Sequence, residues 1–327
     1  MPRVAFCRAL HPSARALLDA RPEFELELLS TEFRGKPIPD KLAAALPHCD
    51  GVMIGLEKIG ADMLALAPNL KVVSRFGVGY DNFDVPACTR QGVTIAVTNG
   101  ANDLSVAEHT MMLMLAVARR TTDYDASVRA GTWMIQTGRR MHELAGRKVL
   151  IIGYGRIGTR VARLCQAFGM TTMVADPAFP VPRLAADGHI PVTDLAAALP
   201  QADIVSLHCW LDATTRKMVN ADFLKRMKPT AWLINTARGG LVDEPALAAA
   251  LTDGTIEAAG LEVMIGEPPP ANHPFFSLPN LVLSPHNATA AMECFEKMSI
   301  RAIRNLIEFF DGTLDPGYTV NPETLRA

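Results

Sequence analysis

The most informative stretch of this 327-residue sequence reads VLIIGYGRIG and occupies Val149–Gly158. Its four apolar residues predict a buried strand, and the glycines that follow have the spacing G-x-G-x-x-G. In this pattern Gly153 permits a tight turn, Gly155 lets the backbone approach a pyrophosphate, and Gly158 lets the next helix pack on the strand. A diphosphate would then face the amides and the positive dipole end of that helix. The stretch therefore predicts a dinucleotide-binding fold that begins near residue 148.

An acidic residue stands at the distance that this fold requires. Asp176 follows Gly158 by 18 residues, at the end of the predicted strand Thr171–Ala175. Its carboxylate can accept both ribose hydroxyls of NAD and would repel the 2′-phosphate of NADP. An Asp-Pro pair can also simply start a turn. Because the glycine motif precedes it, we expect NAD, with NADP less favoured and left open by Arg156 and Arg183.

Composition indicates a globular chain of about two domains. The 32 Lys and Arg against 34 Asp and Glu leave a formal charge of −2, so no basic field points to nucleic acid. The six cysteines lie far apart without a C-x-x-C pair, which fits neither a zinc site nor a secreted disulfide framework. Met1–Leu10 is too short for a secretory core, and Thr110–Ala118 is too short to cross a bilayer. We therefore expect a cytoplasmic protein with reduced thiols, no metal and no membrane partner.

Short apolar runs alternate with helical stretches on both sides of the glycine motif, which predicts βαβ units and parallel sheets. The predicted strands are Arg3–Cys7, Glu25–Leu29, Gly51–Ile54, Lys71–Ser74, Thr94–Val97, Lys148–Ile152, Thr171–Ala175, Ile204–Leu207, Ala231–Asn235, Ile256–Leu261 and Leu281–Leu283. The predicted helices are Ser13–Arg21, Ala61–Ala67, Val85–Gln91, Arg156–Phe168, Asp194–Leu199, Ala221–Met227, Glu244–Asp253 and Ala290–Phe310. The six strands from Lys148 onward make a complete dinucleotide-binding series.

A long helix precedes this series. Ser105–Glu108 has the S-x-x-E form of a capping box, and the apolar pattern continues to about Arg119. The helix is apolar almost all round, so we expect at least two buried faces, between domains or at a subunit interface. A polar stretch, Gly131–Gly146, then leads into the next strand.

Three charged side chains follow three successive predicted strands of the second series. Arg238 comes after Ala231–Asn235, and its planar donors match a carboxylate. Glu267 and His286 come after the next two strands, and each taken alone would more often be solvated or structural. Because the carboxyl ends of parallel strands bind ligands, the set predicts proton and hydride chemistry on a carboxylate-bearing substrate.

Six segments in this order resemble the D-isomer-specific 2-hydroxyacid dehydrogenases, a family that includes D-3-phosphoglycerate dehydrogenase, glycerate dehydrogenase and glyoxylate/hydroxypyruvate reductases. The segments are SRFGVGYDNFD (74–84), NDLSVAEHT (102–110), GYGRIG (153–158), INTARGGLVDEPAL (234–247), GLEVMIGEP (260–268) and LSPHNA (283–288). The resemblance implies two α/β parallel-sheet domains, with a Rossmann-type NAD-binding domain (101–289) inserted into a flavodoxin-like substrate domain (1–100 and 290–327). It also implies an active site in the cleft and a homodimer.

The resemblance carries site residues onto this sequence. It implies that His286 is the acid/base, that Glu267 supports it, and that Arg238 binds the substrate and polarises its carbonyl. The amides around Val78 and Gly79 match the loop that holds the substrate carboxylate. The positions expected to contact the cofactor are Gly153, Gly155, Arg156, Ile157, Gly158, Asp176, His208, Cys209, Thr236, Ala237, Arg238, Glu262 and His286.

The chain departs from the family in two places. Most relatives carry Asp where this chain has Glu262, so the contact to the nicotinamide end can differ. Many phosphoglycerate dehydrogenases have an arginine soon after the third strand, where this chain reads Ile54-Gly55-Leu56-Glu57, so a phosphorylated substrate is less favoured.

The expected activity is NAD-dependent interconversion of a D-2-hydroxy acid and its 2-oxo acid. The alternative is an NAD(H)-binding corepressor or sensor with little turnover, although such proteins generally carry longer tails. A formate dehydrogenase would pair its histidine with glutamine rather than with Glu267. The sequence leaves open which 2-hydroxy acid is used and in which direction.

Overall fold

The computed structural model describes residues 1–32, 38–133 and 140–326 of the chain. Two compact units divide it: unit 1 comprises Met1–Asn102 with Thr289–Ala327, and unit 2 comprises Asp103–Ala288. Part of the polar stretch Gly131–Gly146 lies outside the described residues. Among the described residues, no helix combines the length and the apolar character that crossing a bilayer requires.

Unit 1 contains, within its described part, a sheet of five parallel strands in the order β2-β1-β3-β4-β5, which is flavodoxin-like. The strands are β1 (Arg3–Phe6), β2 (Glu25–Leu28), β3 (Gly51–Ile54), β4 (Val72–Arg75) and β5 (Thr94–Ala96). The helices between them are α1 (Pro12–Asp19), α2 (Pro39–Ala45), α3 (Ala61–Ala65) and α4 (Val85–Arg90).

Unit 2 contains, over the residues that are described, seven parallel strands in the order β12-β11-β10-β9-β6-β7-β8. The strands are β6 (Lys148–Ile152), β7 (Thr171–Ala175), β8 (Ile190–Pro191), β9 (Ile204–Leu207), β10 (Trp232–Asn235), β11 (Ala258–Leu261) and β12 (Leu281–Leu283). The helices are α5 (Asp103–Arg119), α6 (Thr121–Arg129), α7 (Arg156–Ala167), α8 (Val181–Ala186), α9 (Leu195–Ala198), α10 (Ala221–Arg226) and α11 (Glu244–Asp253). The strand order reverses at β6, between β7 and β9, which is the topological switch point where such sheets bind ligands. The predicted fold class is confirmed.

The last helix, α12 (Met292–Phe310), returns the chain to unit 1. Its apolar face, including Met298 and Leu306, packs with Val4 and Phe6 of β1. The alternate β1 residue Ala5 belongs to the core on the opposite sheet face. β1 is therefore covered on both faces, as its nearly continuous apolar sequence requires.

The same alternation builds the core of unit 2. Trp232 and Ile234 of β10 belong to the cluster that includes α5 and α7 residues. Leu233, between them, belongs to the cluster with Leu224 of α10 and Leu247 of α11. Successive side chains of a strand point to opposite faces, so helices on both sides are needed to cover the sheet.

The structure corrects several predicted elements. The capping box is wrong: α5 begins at Asp103, so Ser105 lies inside the helix and its Oγ donates to the carbonyl of Ala288 at 2.5 Å. The strand β8 and the helices α2, α6 and α8 were not predicted. Three of these are short or begin with proline, so their apolar periodicity is too brief to detect, and α6 follows Arg120 in a left-handed conformation.

Candidate active site

The glycine turn after β6 is packed too tightly for side chains at two positions. Gly153 has φ +97°, and a Cβ there would lie 2.6 Å from the carbonyl oxygen of His208. A Cβ on Gly158 would lie 2.0 Å from the carbonyl oxygen of Gly153. Both glycines are therefore required for α7 to start directly against the end of β6.

Gly155 differs from these two, because a Cβ there would meet no described atom within 4 Å. Gly155 is the N-cap residue of α7, and no described side chain caps the helix at this point. The first helical residue, Arg156, is exposed, and Ile157 is half-buried. Uncapped amides at the start of a helix, facing open space, fit a diphosphate.

Asp176 lies beside the glycine turn at the end of β7. One carboxylate oxygen accepts a hydrogen bond from the amide of Tyr154, within the glycine motif, at 2.6 Å. The other accepts from the amide of Ala178 at 2.8 Å. Asp176 thus starts a turn and also projects its carboxylate to the glycine turn, where an adenosine ribose would lie.

His208 and Cys209 follow β9, the strand on the other side of β6. The amide of His208 donates to the carbonyl of Ile152 at 2.7 Å, which ties the two strand ends together. Burial lowers the pKa of His208 to about 3, so its ring is neutral, and its Nε2 lies 2.8 Å from Ser206 Oγ. Burial raises the pKa of Cys209 to about 11, so the thiol stays protonated.

The loop after β10 is organised by Asn235, which is completely buried. Its Oδ1 accepts from the amide of Ala237 at 3.0 Å, and its Nδ2 donates to the carbonyl of Arg238 at 2.8 Å. Arg238 Nη1 donates to the carbonyl of Ala237 at 2.7 Å. Thr236 Oγ1 lies 2.9 Å from Thr110 Oγ1 of α5. Asn235 was not predicted as a site residue, although an amide that ends an apolar strand was a detectable signal.

Gly239 brings the Arg238 loop against the loop that carries Glu267. A Cβ on Gly239 would lie 2.2 Å from the carbonyl carbon of Met264. The amide of Met264 donates to Glu267 Oε1 at 2.9 Å, and the amide of Ile265 donates to Glu244 Oε1 at 2.7 Å. Backbone contact between the two loops leaves little freedom to shift one without the other.

Glu267 and His286 are in direct contact. Glu267 Oε2 lies 2.5 Å from His286 Nδ1. His286 adopts φ +50°, a left-handed conformation that is uncommon for residues other than glycine. Its amide donates to the carbonyl of Glu262 at 2.9 Å. The ring is therefore oriented with Nδ1 toward a carboxylate, as in other acid/base histidines.

Glu262 is buried, and its carboxylate faces the protein interior. One oxygen accepts from the amide of Ala288 at 2.5 Å, and the other lies 2.8 Å from His109 Nε2 of α5. Burial alone would raise the pKa of Glu262, but the neighbouring His109 and Ser284 side chains and the amide of Ala288 outweigh it and hold this pKa below its usual value. Its described partners are protein groups, although the family resemblance implies a cofactor contact at this position.

Val78 and Gly79 belong to unit 1, in the loop after β4. The buried Arg75 donates from Nε to the carbonyl of Gly79 and from Nη1 to the carbonyl of Phe76, both at 3.0 Å. The carbonyl of Gly77 accepts from the amide of Thr98 at 3.0 Å. Since N–H and C=O of a trans peptide point in opposite directions, the amide of Val78 is directed away from Thr98.

Neither a metal cluster nor a disulfide is found in the described part of the chain. No group of three or more His, Cys, Asp or Glu side chains there could hold a metal ion. The six cysteines, each of which is described, form no disulfide with one another.

Comparison with known proteins identifies relatives of the whole arrangement. Residues 111–288 match the family model described as the NAD binding domain of D-isomer specific 2-hydroxyacid dehydrogenases. A glyoxylate reductase of Thermofilum pendens is 39% identical over 276 residues, which cover 83% of this chain and 80% of that protein. A D-3-phosphoglycerate dehydrogenase of Mycobacterium bovis is 38% identical over 262 residues, which cover 80% of this chain but only 49% of the relative.

Solved structures agree over nearly the full length. The TT0316 protein of Thermus thermophilus superposes with a TM-score of 0.86 at 34% identity, covering 97% of this chain and 99% of that one. An NADPH-dependent glyoxylate/hydroxypyruvate reductase of Sinorhizobium meliloti has a TM-score of 0.82 at 29% identity, covering 98% of both chains. A D-lactate dehydrogenase of Aquifex aeolicus complexed with NAD and lactic acid has a TM-score of 0.84 at 25% identity, covering 97% and 99%. One of these neighbours is described as NADPH-dependent and another as complexed with NAD.

The two kinds of glycine in the turn lead to a paired prediction. Gly158→Ala places a Cβ 2.0 Å from a carbonyl oxygen and should lower the thermal midpoint by several degrees. Gly155→Ala meets no described protein atom, so the midpoint should stay unchanged while the Kd for NADH rises about tenfold. Differential scanning fluorimetry and NADH fluorescence titration measure the two effects. Wild-type NADH affinity in Gly155→Ala would contradict the assignment of Gly155 to the diphosphate.

Proposed function

The chain belongs to the D-isomer specific 2-hydroxyacid dehydrogenase family, and we propose that it interconverts a small, unphosphorylated 2-oxo acid of the glyoxylate class and its D-2-hydroxy acid. It is an NAD(P)-dependent oxidoreductase by that membership. The contact between Glu267 Oε2 and His286 Nδ1 at 2.5 Å, beside the Arg238 loop, carries the proposal at the level of chemistry. It provides an oriented proton donor after β12, and Arg238 follows β10 of the same sheet.

We propose that the dinucleotide is held by unit 2, through the amides at Gly155–Gly158 and the carboxylate of Asp176. The end of β9 and the loop after β10, with His208, Cys209, Thr236 and Ala237, would line the rest of its site. When bound, the nicotinamide supplies the hydride in reduction and accepts it in oxidation. The uncapped start of α7 and the open space at Gly155 support this assignment.

His286 would exchange the proton with the substrate oxygen. Because Nδ1 faces Glu267, the proton is delivered from Nε2 in reduction and returned to Nε2 in oxidation. The carboxylate of Glu267 is held by the amide of Met264 and orients the ring through Nδ1. The dyad therefore keeps an acid available at the strand end where the substrate carbonyl is expected.

Arg238 would bind the substrate carboxylate and polarise its carbonyl. Its backbone is fixed by the buried Asn235, and its Nη1 is fixed by the carbonyl of Ala237. Fixed positive charge where negative charge develops lowers the barrier without reorganisation during the reaction. By the family resemblance we also propose that the amides of Val78 and Gly79 bind a substrate carboxylate; in unit 1 this loop is held by Arg75, which donates to the carbonyls of Phe76 and Gly79.

The preference for an unphosphorylated substrate rests on the loop after β3. Glu57 is buried there and accepts the amide of Gly55 at 2.6 Å. The guanidinium of Arg8 from the end of β1 occupies the space that a Cβ on Gly55 would fill. Burial lowers the pKa of Arg8, and attraction by Glu57 opposes this shift, so this cation is partly compensated by an acid. A dianionic phosphate gains little from such a balanced pair.

A catalytic role is favoured over that of an NAD(H) sensor or corepressor. Curated relatives of this chain carry the names of reductases and dehydrogenases. An acid/base pair in which a carboxylate orients a histidine ring is also not needed for dinucleotide binding alone.

We further propose a homodimer that acts in the cytoplasm. Helix α5 has Leu104 and Met112 exposed by 44% and 43%, and Phe168 after α7 is exposed by 42%, which gives unit 2 an apolar surface suited to a second copy. Cysteines that are mostly buried and form no disulfide fit a reducing compartment. Sedimentation velocity of the intact chain measures the oligomeric state directly.

The substrate assignment is tested by NADH and NADPH oxidation over glyoxylate, hydroxypyruvate, 3-phosphohydroxypyruvate and bulkier 2-oxo acids. Glyoxylate or hydroxypyruvate should turn over best, and Arg238→Lys should lower kcat/KM for it by more than about tenfold, because a point charge cannot replace the bidentate fork. Arg226→Lys, at an exposed position of α10, is the matched control and should be neutral. Binding of NADH with no turnover of any 2-oxo acid would support the sensor instead.

The dyad gives a prediction for turnover. Glu267→Ala removes the carboxylate oxygen that lies 2.5 Å from His286 Nδ1 and orients the ring, so kcat for reduction should fall about tenfold or more. Glu257→Ala, which removes the His142 pair at 3.1 Å elsewhere in unit 2, should leave kcat unchanged. Wild-type kcat in Glu267→Ala would remove the dyad from the mechanism.

We propose NAD as the preferred dinucleotide, because the carboxylate of Asp176 would repel a 2′-phosphate. Asp176→Ala should lower kcat/KM with NADH and raise it with NADPH, changing their ratio by about tenfold or more. Asp222→Ala, an exposed acid on α10, controls for loss of charge. If the wild-type enzyme already prefers NADPH, the assignment of Asp176 is wrong.

A further inference from the structure

We propose that His109 of α5 is a positioning residue for proton transfer: with Glu262 it clamps the 284–288 segment from which His286 acts. This inference rests on the proposed role of His286. It gives His109, which is not among the predicted site residues, a function in the reaction. It also assigns Glu262 to the support of the acid/base histidine rather than to the cofactor.

Glu262 holds the segment at two amides, those of His286 and Ala288. Its backbone carbonyl accepts the amide of His286 at 2.9 Å, and its side-chain Oε1 accepts the amide of Ala288 at 2.5 Å. The side chain is buried, so a lost partner would leave a charged oxygen without compensation in the interior. Both hydrogen bonds therefore require Glu262 to keep its position.

His109 fixes that position from α5. Its Nε2 lies 2.8 Å from Glu262 Oε2 and 2.9 Å from Ser284 Oγ, so one ring nitrogen bridges the ends of β11 and β12. Ser284 Oγ in turn donates to Asn287 Oδ1 at 2.7 Å. One turn earlier on α5, Ser105 Oγ donates to the carbonyl of Ala288. The helix therefore holds the segment at two places.

The segment needs such support because His286 adopts φ +50°. For a residue with a Cβ this conformation is unfavourable and persists only where the surroundings impose it. A relaxed backbone would rotate the Cα–Cβ bond of His286 and move the imidazole away from Glu267. The hydrogen bonds at Glu262 thus keep the backbone of His286 in place, and the backbone in turn orients the imidazole.

The chemistry of His109 allows a sharp series of variants, because the described contacts to Glu262 and Ser284 use only Nε2. Glutamine places an amide nitrogen near the position of Nε2 and should preserve the clamp. Asparagine is too short to reach, and leucine fills the volume without a donor. His142→Leu is the matched control, since it removes another His–Glu pair of unit 2, at 3.1 Å from Glu257.

Two measurements test the proposal on the full-length protein. Amide hydrogen exchange should become about tenfold faster or more at His286 and Ala288 in His109→Leu and His109→Asn, and stay at the wild-type rate in His109→Gln. With the 2-oxo acid that the wild-type enzyme turns over best, kcat should fall about tenfold or more in the first two variants. KM, and the Kd for NADH from fluorescence, should stay within about threefold. His142→Leu should change none of these.

The outcomes separate this inference from the function on which it rests. Wild-type exchange and kcat in His109→Leu would overturn the clamp while the dehydrogenase remains. A loss that appears as weaker NADH binding, with exchange unchanged, would overturn it in favour of a cofactor contact by Glu262. If wild type turns over no 2-oxo acid, the proposed function fails, and the exchange rates still show whether His109 holds the segment. If His109→Leu does not fold, the comparison of Gln with Asn decides.

Discussion

The site in unit 2 depends on close packing of the turn after β6 against the start of α7 and the backbone that follows β9. A Cβ on Gly153 would overlap the backbone of His208, and a Cβ on Gly158 would overlap the carbonyl of Gly153, so β6, β9 and α7 meet where only glycine fits. Because the helix starts directly at the strand end, its uncapped amides and the carboxylate of Asp176 face the same turn. The dinucleotide assignment is a consequence of this packing more than of any single side chain.

The chemical groups are held by loops that support one another. Asn235 fixes the loop of Arg238 from within, and Gly239 presses that loop against Met264, whose amide binds Glu267. Glu267 then meets His286, whose own backbone is held by Glu262. Groups on three strand ends are thereby fixed by hydrogen bonds rather than by their own rotamer preferences, which is the condition for a pre-organised site.

Local patterns predicted the fold and the three chemical groups, since glycine spacing, strand alternation and residues at strand ends can be read from adjacent positions. Contacts between distant segments could not be predicted in this way. His109 looks like an interior helical histidine, and only folding brings it to Glu262. Ser105 looked like a cap because its spacing to Glu108 is right, yet it serves Ala288. β8 escaped detection because a two-residue strand has no alternation to read.

Neighbouring residues of α5 serve different loops: His109 reaches the ends of β11 and β12, whereas Thr110 reaches Thr236 after β10. A small rotation of this helix about its axis would therefore move the contacts that hold the His286 segment and the loop that carries Arg238 at the same time. The same helix exposes Leu104 and Met112, so a molecule that binds those side chains can move both loops by shifting the helix. Binding at the exposed face of α5 and the positions of His286 and Arg238 are in this way coupled through one helix.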